Sequence, residues 1–219
     1  MHGLYNFVRG PLAWVAFILF IGGSLYRLIS MYKLARKKDV FVFEYTTLYF
    51  ALRSILHWII PFGNINSRNR PIFTIVTFAF HICLLAVPIF LLAHIILWDE
   101  SFNINWWSLP DGVADIMALI VVAGCGYFLW RRLTQPEAKF VTSAGDYVIL
   151  AIVAAPFITG FLAYHQWLGY KFWLILHILS GEIWLAAIPF TRLSHMLFFP
   201  LNRAYIGSEF GAVRHVRDY

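Results

Sequence analysis

The sequence predicts an all-α integral membrane protein of five transmembrane helices. Its N-terminus is expected outside and its C-terminus in the cytoplasm, with one interfacial amphipathic helix on the cytoplasmic face. Three observations predict this. Of 219 residues, 61% are hydrophobic and only 13% charged, far from the balance of a soluble domain. Apolar windows of about 18 or more residues recur, the length a helix needs to cross a bilayer. Lys and Arg collect on alternate connections, which orients the spans. The short alternating segments of a membrane barrel are absent. No internal repeat stands out, so residues 1–219 read as one membrane domain.

The first span is expected at about residues 11–32, with Pro11 suited to an early helical position. The preceding MHGLYNFVRGP lacks the basic, apolar and small-residue order of a cleaved signal. Residues 40–60, VFVFEYTTLYFALRSILHWII, carry Glu44 and Arg53. They are too polar for a span and too apolar for a free loop, which suits an interfacial amphipathic helix. Pro61 and Gly63 end it. The remaining spans are expected at about 72–98, 113–130, 146–164 and 169–195.

The first connection holds Lys33, Arg36, Lys37, Lys38, Arg53, Arg68 and Arg70. The third holds Arg131, Arg132 and Lys139, and the tail adds Arg203, Arg214 and Arg217. The opposite side has Arg9 and Lys171. Positive charge marks the cytoplasm. The net charge of +6 therefore reports topology and does not point to nucleic acid. Residues 99–112 have no Lys or Arg, and Trp98, Trp106 and Trp107 fit an aromatic belt at the outer surface. Cys83 and Cys125 sit in apolar runs outside any metal-ligand spacing, so they read as packing residues and not as iron–sulfur ligands.

The chemistry is expected from histidines. His177 and His195 are eighteen residues apart in the fifth span. Eighteen residues are five turns, so on one straight helix both leave from the same face, about 27 Å apart along the axis. His81 and His94 lie in the second span, which runs the other way. Antiparallel helices then pair His94 with His177 near the outer surface and His81 with His195 near the inner one. Facing imidazoles at two depths are what two bis-histidine haems need, and filled axial positions restrict the chemistry to electron transfer. The alternative is ordinary interhelical hydrogen bonding. The thirteen-residue spacing of His81 and His94 does not share a face on an ideal helix. Pro88, between them, is the expected adjustment.

Other candidates surround this ladder. Glu182 is a carboxyl at mid-membrane depth, expected to relay protons or respond to haem charge, or else to bond a neighbouring helix. Gly181, one turn after His177, lets a flat ring approach the backbone. Arg131, Arg132 and Arg192 sit at the inner edge where haem propionates emerge, and Lys171 is placed similarly outside. Their alternative role is setting topology. His165, at the outer mouth of the fourth span, and His57, on the interfacial helix, are candidate quinone contacts; His57 alternatively faces a cytoplasmic partner or solvent.

The segments LWRRLTQPEAKFVTSAGDYVIL and LHILSGEIWLAAIPFTRLSHMLFFPLNR resemble the gamma subunit of respiratory nitrate reductase, a five-span di-haem cytochrome b family. The matching pieces are RRL-x-x-P, T-x-x-GD, the H-x-x-x-G…PF-[ST]-RL-x-H run, and FHICLL around His81. RSILHWIIPFGN followed by RPIFTIVTFAFH looks more like the membrane cytochrome b subunits of the Hmc, Tmc and sulfite reductase-linked redox complexes of sulfate-reducing bacteria. The resemblance implies two haem b groups and a subunit of an oxidoreductase complex in the bacterial inner membrane. It implies an extracytoplasmic donor, either a multihaem cytochrome c or menaquinol. It also implies other membrane subunits and a cytoplasmic iron–sulfur partner similar to heterodisulfide reductase. The competing expectations are a quinol-oxidising nitrate reductase gamma subunit and a haem-free structural anchor.

Overall fold

The computed structural model describes residues 2–167 and 169–219. The chain is all-helical, with no strand among the described residues. Among the described residues, four helices are long and apolar enough to cross a membrane: Gly3–Lys38, Pro71–Phe90, Asp111–Thr134 and Ala144–Tyr164. A fifth span results when the broken pair Tyr170–Ala187 and Arg192–Val213 is taken as one.

The elements in order are α1 (His2–Phe7), α2 (Ala13–Lys38), α3 (Val42–Tyr45), α4 (Leu48–Ile59), α5 (Ile65–Asn69), α6 (Pro71–Phe90), α7 (Leu92–Phe102), α8 (Asp111–Thr134), α9 (Pro136–Phe140), α10 (Ala144–Tyr164), α11 (Tyr170–Ala187) and α12 (His195–Ser208). They fall into two compact units. One holds the residues up to Gly10 with Val76–Trp184, the other Pro11–Ile75 with Leu185–Tyr219.

Three expected spans need correction. The first helix does not begin near residue 11. It begins at His2 and passes Pro11 through a π-helical turn, Val8–Leu12. The wider turn accommodates a residue with no N–H to give. The second expected span, 72–98, is two helices. The chain leaves helical geometry at Leu91 (φ −74°, ψ 127°) and restarts as α7. The 20 residues of α6 are about 30 Å long and match a bilayer core without the rest. The fifth expected span, 169–195, stops at Ala187. Pro189 cannot bond back to Leu185, and Ile188 and Phe190 turn through three-residue bonds to Leu185 and Ala187. Thr191 then caps a short 3-10 turn, Arg192–Ser194, by accepting from the Leu193 N–H. His195 opens a new helix. The inference that His177 and His195 share one face of one helix is therefore overturned.

In the first unit α8 lies along α10. The buried residues Ala114, Ala118, Val121 and Cys125 form one stripe of α8, and small side chains on that stripe let backbones approach. Gly124 continues it: a Cβ there would stand 2.8 Å from the ring of Phe80 on α6. Cys83 and Cys125 are buried free thiols, as expected of packing residues. The GD of the T-x-x-GD motif is a helix start. The Ser143 N–H and hydroxyl both donate to the Asp146 carboxylate, closing a capping box at α10.

In the second unit the 40–60 segment forms α3 and α4, and α4 packs along α12. The contact requires glycine. A Cβ at Gly207 would run into Ser54 and the Phe50 carbonyl, and just past α12, in the π-helical turn Glu209–Val213, one at Gly211 would run into the Phe50 ring. Gly207→Val is expected to lower stability by about 1–3 kcal/mol through overpacking. A fall in the thermal-unfolding midpoint in detergent checks this, and an unchanged midpoint contradicts the packing. Elsewhere in this unit the Pro189–Phe190 turn sits against α2 at Gly23, where a Cβ would stand 2.8 Å from Pro189.

Candidate functional site

The four histidines expected as ligands share one local feature, which His57 also has. In each, ring Nδ1 lies within hydrogen-bond distance of a backbone carbonyl: His81 on Thr77 (2.7 Å), His94 on Pro88 (2.9 Å), His177 on Pro156 (2.9 Å) and His195 on Arg192 (2.9 Å). A carbonyl only accepts, so the proton sits on Nδ1 and the lone pair on Nε2. This is the tautomer a metal-ligating histidine takes when a backbone carbonyl fixes its ring.

Two of the four are brought together. The rings of His94 and His177 are parallel within 8°, with centres 5.9 Å apart. An iron bound at about 2 Å by each of two imidazoles, whose nitrogens lie about 1 Å from their ring centres, would space those centres about 6 Å apart. The donor set, the Nδ1 contacts and the separation of the ring centres are compatible with two imidazoles on one haem. His81 lies in the first unit, on α6, and His195 in the second, at the start of α12.

The break at Leu91 builds the His94 position. In an unbroken helix the carbonyls of Pro88, Ile89 and Phe90 would accept from the amides four residues on. Here each finds another donor. The Pro88 carbonyl takes the His94 imidazole, Ile89 the Trp106 indole at 2.9 Å, and Phe90 the Leu109 amide at 2.8 Å. The phase mismatch between His81 and His94 disappears because they do not share a helix. Pro88 marks the region, but the break falls three residues later.

His177 is seated by α10. Pro156 gives its carbonyl to the imidazole, and Gly160 gives it room. A Cβ at Gly160 would stand 2.9 Å from both Cε1 and Nδ1 of His177. Sequence reasoning missed Gly160; a glycine inside an apolar span, one turn beyond a proline, is the signal that could have found it. Gly160→Val is expected to displace the imidazole and cost about 1–3 kcal/mol, measured by thermal unfolding in detergent. Gly181 behaves differently: a Cβ there would meet nothing within 4 Å.

The remaining candidates are placed as follows. Glu182 is 8% exposed, and neither carboxylate oxygen has a hydrogen-bond partner among the described residues. His165 is the residue after α10, and its Nε2 lies 3.0 Å from Asp115 on α8. Phe161 packs on its ring at 4.4 Å. His57 is not an open polar-face residue. Tyr219 stacks on it at 3.6 Å, and its Nδ1–H bonds the Arg53 carbonyl. Arg131 and Arg132 occupy the last turn of α8, with Arg132 bonded to the Phe128 carbonyl. Arg192 opens the 3-10 turn before His195, and Lys171 is exposed at the start of α11.

A protein of Nitratidesulfovibrio vulgaris (strain Hildenborough) is 36% identical to this chain over 219 residues, covering 96% of the chain and 95% of the relative. No family model matches the chain.

Proposed function

The chain belongs to the same family as the Nitratidesulfovibrio vulgaris protein, and for it we propose the role of a di-haem cytochrome b membrane subunit that passes electrons across the bilayer. The observation that carries this reading is the parallel His94–His177 pair, each ring fixed through Nδ1 so that Nε2 keeps its lone pair. His94 and His177 would hold the outer haem, and His81, on α6, would serve a second one. Bis-histidine haem supplies one-electron transfer with no open coordination position. The protein's part is to hold the imidazoles in one tautomer and to offer Arg131, Arg132 and Arg192 to propionates at the inner edge.

In this reading the N-terminus is outside, the C-terminus is cytoplasmic, and α3 and α4 lie on the cytoplasmic face of the bacterial inner membrane. Basic residues on α2, α4, α9 and the tail support that orientation. Electrons enter from an extracytoplasmic multihaem cytochrome c and leave to a cytoplasmic iron–sulfur subunit similar to heterodisulfide reductase. Moving each charge inward is worth about 2.3 kcal/mol per 100 mV of potential.

A second reading takes menaquinol as the outer donor, as in a nitrate reductase gamma subunit. The His165–Asp115 pair favours it. With Nε2–H donated to the carboxylate, Nδ1 carries a lone pair that can accept a hydroxyl proton. Purifying the native complex distinguishes the readings. A multihaem cytochrome c and an iron–sulfur subunit are expected to co-purify; a molybdenum subunit in their place overturns the first reading in favour of the second.

A further inference from the structure

We infer that Trp106 is a positioning residue for the outer imidazole pair: by holding the Ile89 carbonyl, its indole N–H fixes the helix break that sets His94 against His177. The inference rests on the haem reading only for what the pair binds; the positioning itself is a property of the chain.

The break leaves three consecutive carbonyls to satisfy at Pro88, Ile89 and Phe90. A carbonyl left without a donor where water is scarce is costly, and the Ile89–Trp106 bond lies on the exposed side of the chain. One of the three donors is the His94 ring itself. The other two, Trp106 and Leu109, come from the loop that follows α7. If those two are lost, the segment regains its missing bonds by continuing the α6 helix through residues 91–94. The Pro88 carbonyl would then accept from the Leu92 amide and Phe90 from the His94 amide. That rewinding turns His94 to a different face and removes the Pro88 bond that fixes its tautomer.

The loop is built to deliver the indole. Asn103 ends α7 in the left-handed region (φ 54°, ψ 39°), with its N–H bonded to the Asp99 carbonyl. The Asn105 side chain ties back to Asp99 at 2.9 Å. The eleven residues of α7 are about 16 Å long, and the four steps from Phe102 to Trp106 span at most about 14 Å. The loop therefore returns along α7 with little slack. Trp98 flanks the Trp106 ring at 6.3 Å, and Trp107 stacks on Phe90 at 4.4 Å. Trp107 supplies packing and Trp106 supplies the bond, so their substitutions separate the two roles. Interfacial tryptophans in general anchor at the headgroup level; this one also spends its N–H on the backbone of the ligand-bearing segment.

The test compares Trp106→Phe with Trp107→Phe in the full chain, each purified in detergent. Trp106→Phe keeps a ring and removes only the donor. Amide exchange across residues 92–96, read by mass spectrometry, is expected to be about tenfold faster in Trp106→Phe than in the unsubstituted protein. In Trp107→Phe it should be unchanged within about twofold. In haem-loaded protein, Trp106→Phe is expected to shift the low-spin electron paramagnetic resonance signal of one of two haems and leave the other in place. A loss of one haem of the two in Trp106→Phe alone supports the inference equally. Equal exchange in the two variants, or wild-type resonance positions in Trp106→Phe, overturns it. A wild-type protein with no b-type haem overturns the haem reading instead, and the exchange comparison then decides the positioning by itself.

Discussion

Replacing His177 by alanine is expected to lower the haem b content from two per chain to one. The same result is expected for His94→Ala, and the double substitution is expected to lose no more than either single one. That lack of additivity is the signature of two groups acting as one unit. The two rings lie 5.9 Å apart and parallel, and removing either leaves one imidazole where two would hold the group. His81→Ala is expected to remove a different haem, so that His81→Ala with His177→Ala reaches zero. Pyridine haemochrome quantification against protein mass checks each value. Two haems retained in His177→Ala, or content falling further in the His94/His177 double variant than in either single one, contradicts the pairing.

Replacing Asp218 by alanine is expected to destabilise the second unit by about 3–5 kcal/mol, the range for removing one partner of a buried ion pair. The Asp218 side chain is 2% exposed and that of Arg203 11%. The carboxylate takes the Arg203 Nη2–H at 3.0 Å and the Ser54 hydroxyl on the same oxygen. The alanine variant leaves the guanidinium buried over the Trp58 ring, 4.3 Å from its centre, with no counter-charge. A double variant, Arg203→Met with Asp218→Leu, removes both charges and is expected to recover most of the loss. Thermal unfolding in detergent checks the difference. A double variant as unstable as the single one contradicts the burial argument.

Part of this architecture was legible in the sequence, and what escaped it has physical causes. The apolar runs of α6, α8 and α10 announce themselves because a bilayer demands about 20 apolar residues in a row. Glu182 stood out because a carboxyl at that depth is costly, and it is buried as expected. The pairing of His94 with His177 followed from antiparallel order and depth. The helix breaks did not follow from periodicity. Eighteen residues from His177 to His195 are five turns only if the helix continues, and Pro189 ends it. That proline was visible and was the stronger signal. The break at Leu91 has no local marker at that residue, because Trp106 and Leu109 satisfy its carbonyls from across a loop. The packing of α4 on α12 was missed although Gly207 and Gly211, four residues apart, are the small-residue spacing that lets two helices approach closely.

The measurement that tests the account most directly is the reduced-minus-oxidised absorption spectrum of the purified chain, with haem quantified against protein. The account predicts a b-type band at two haems per chain, falling to one when His94 or His177 is replaced. A purified, folded chain with no b-type band would contradict it and leave a structural membrane anchor.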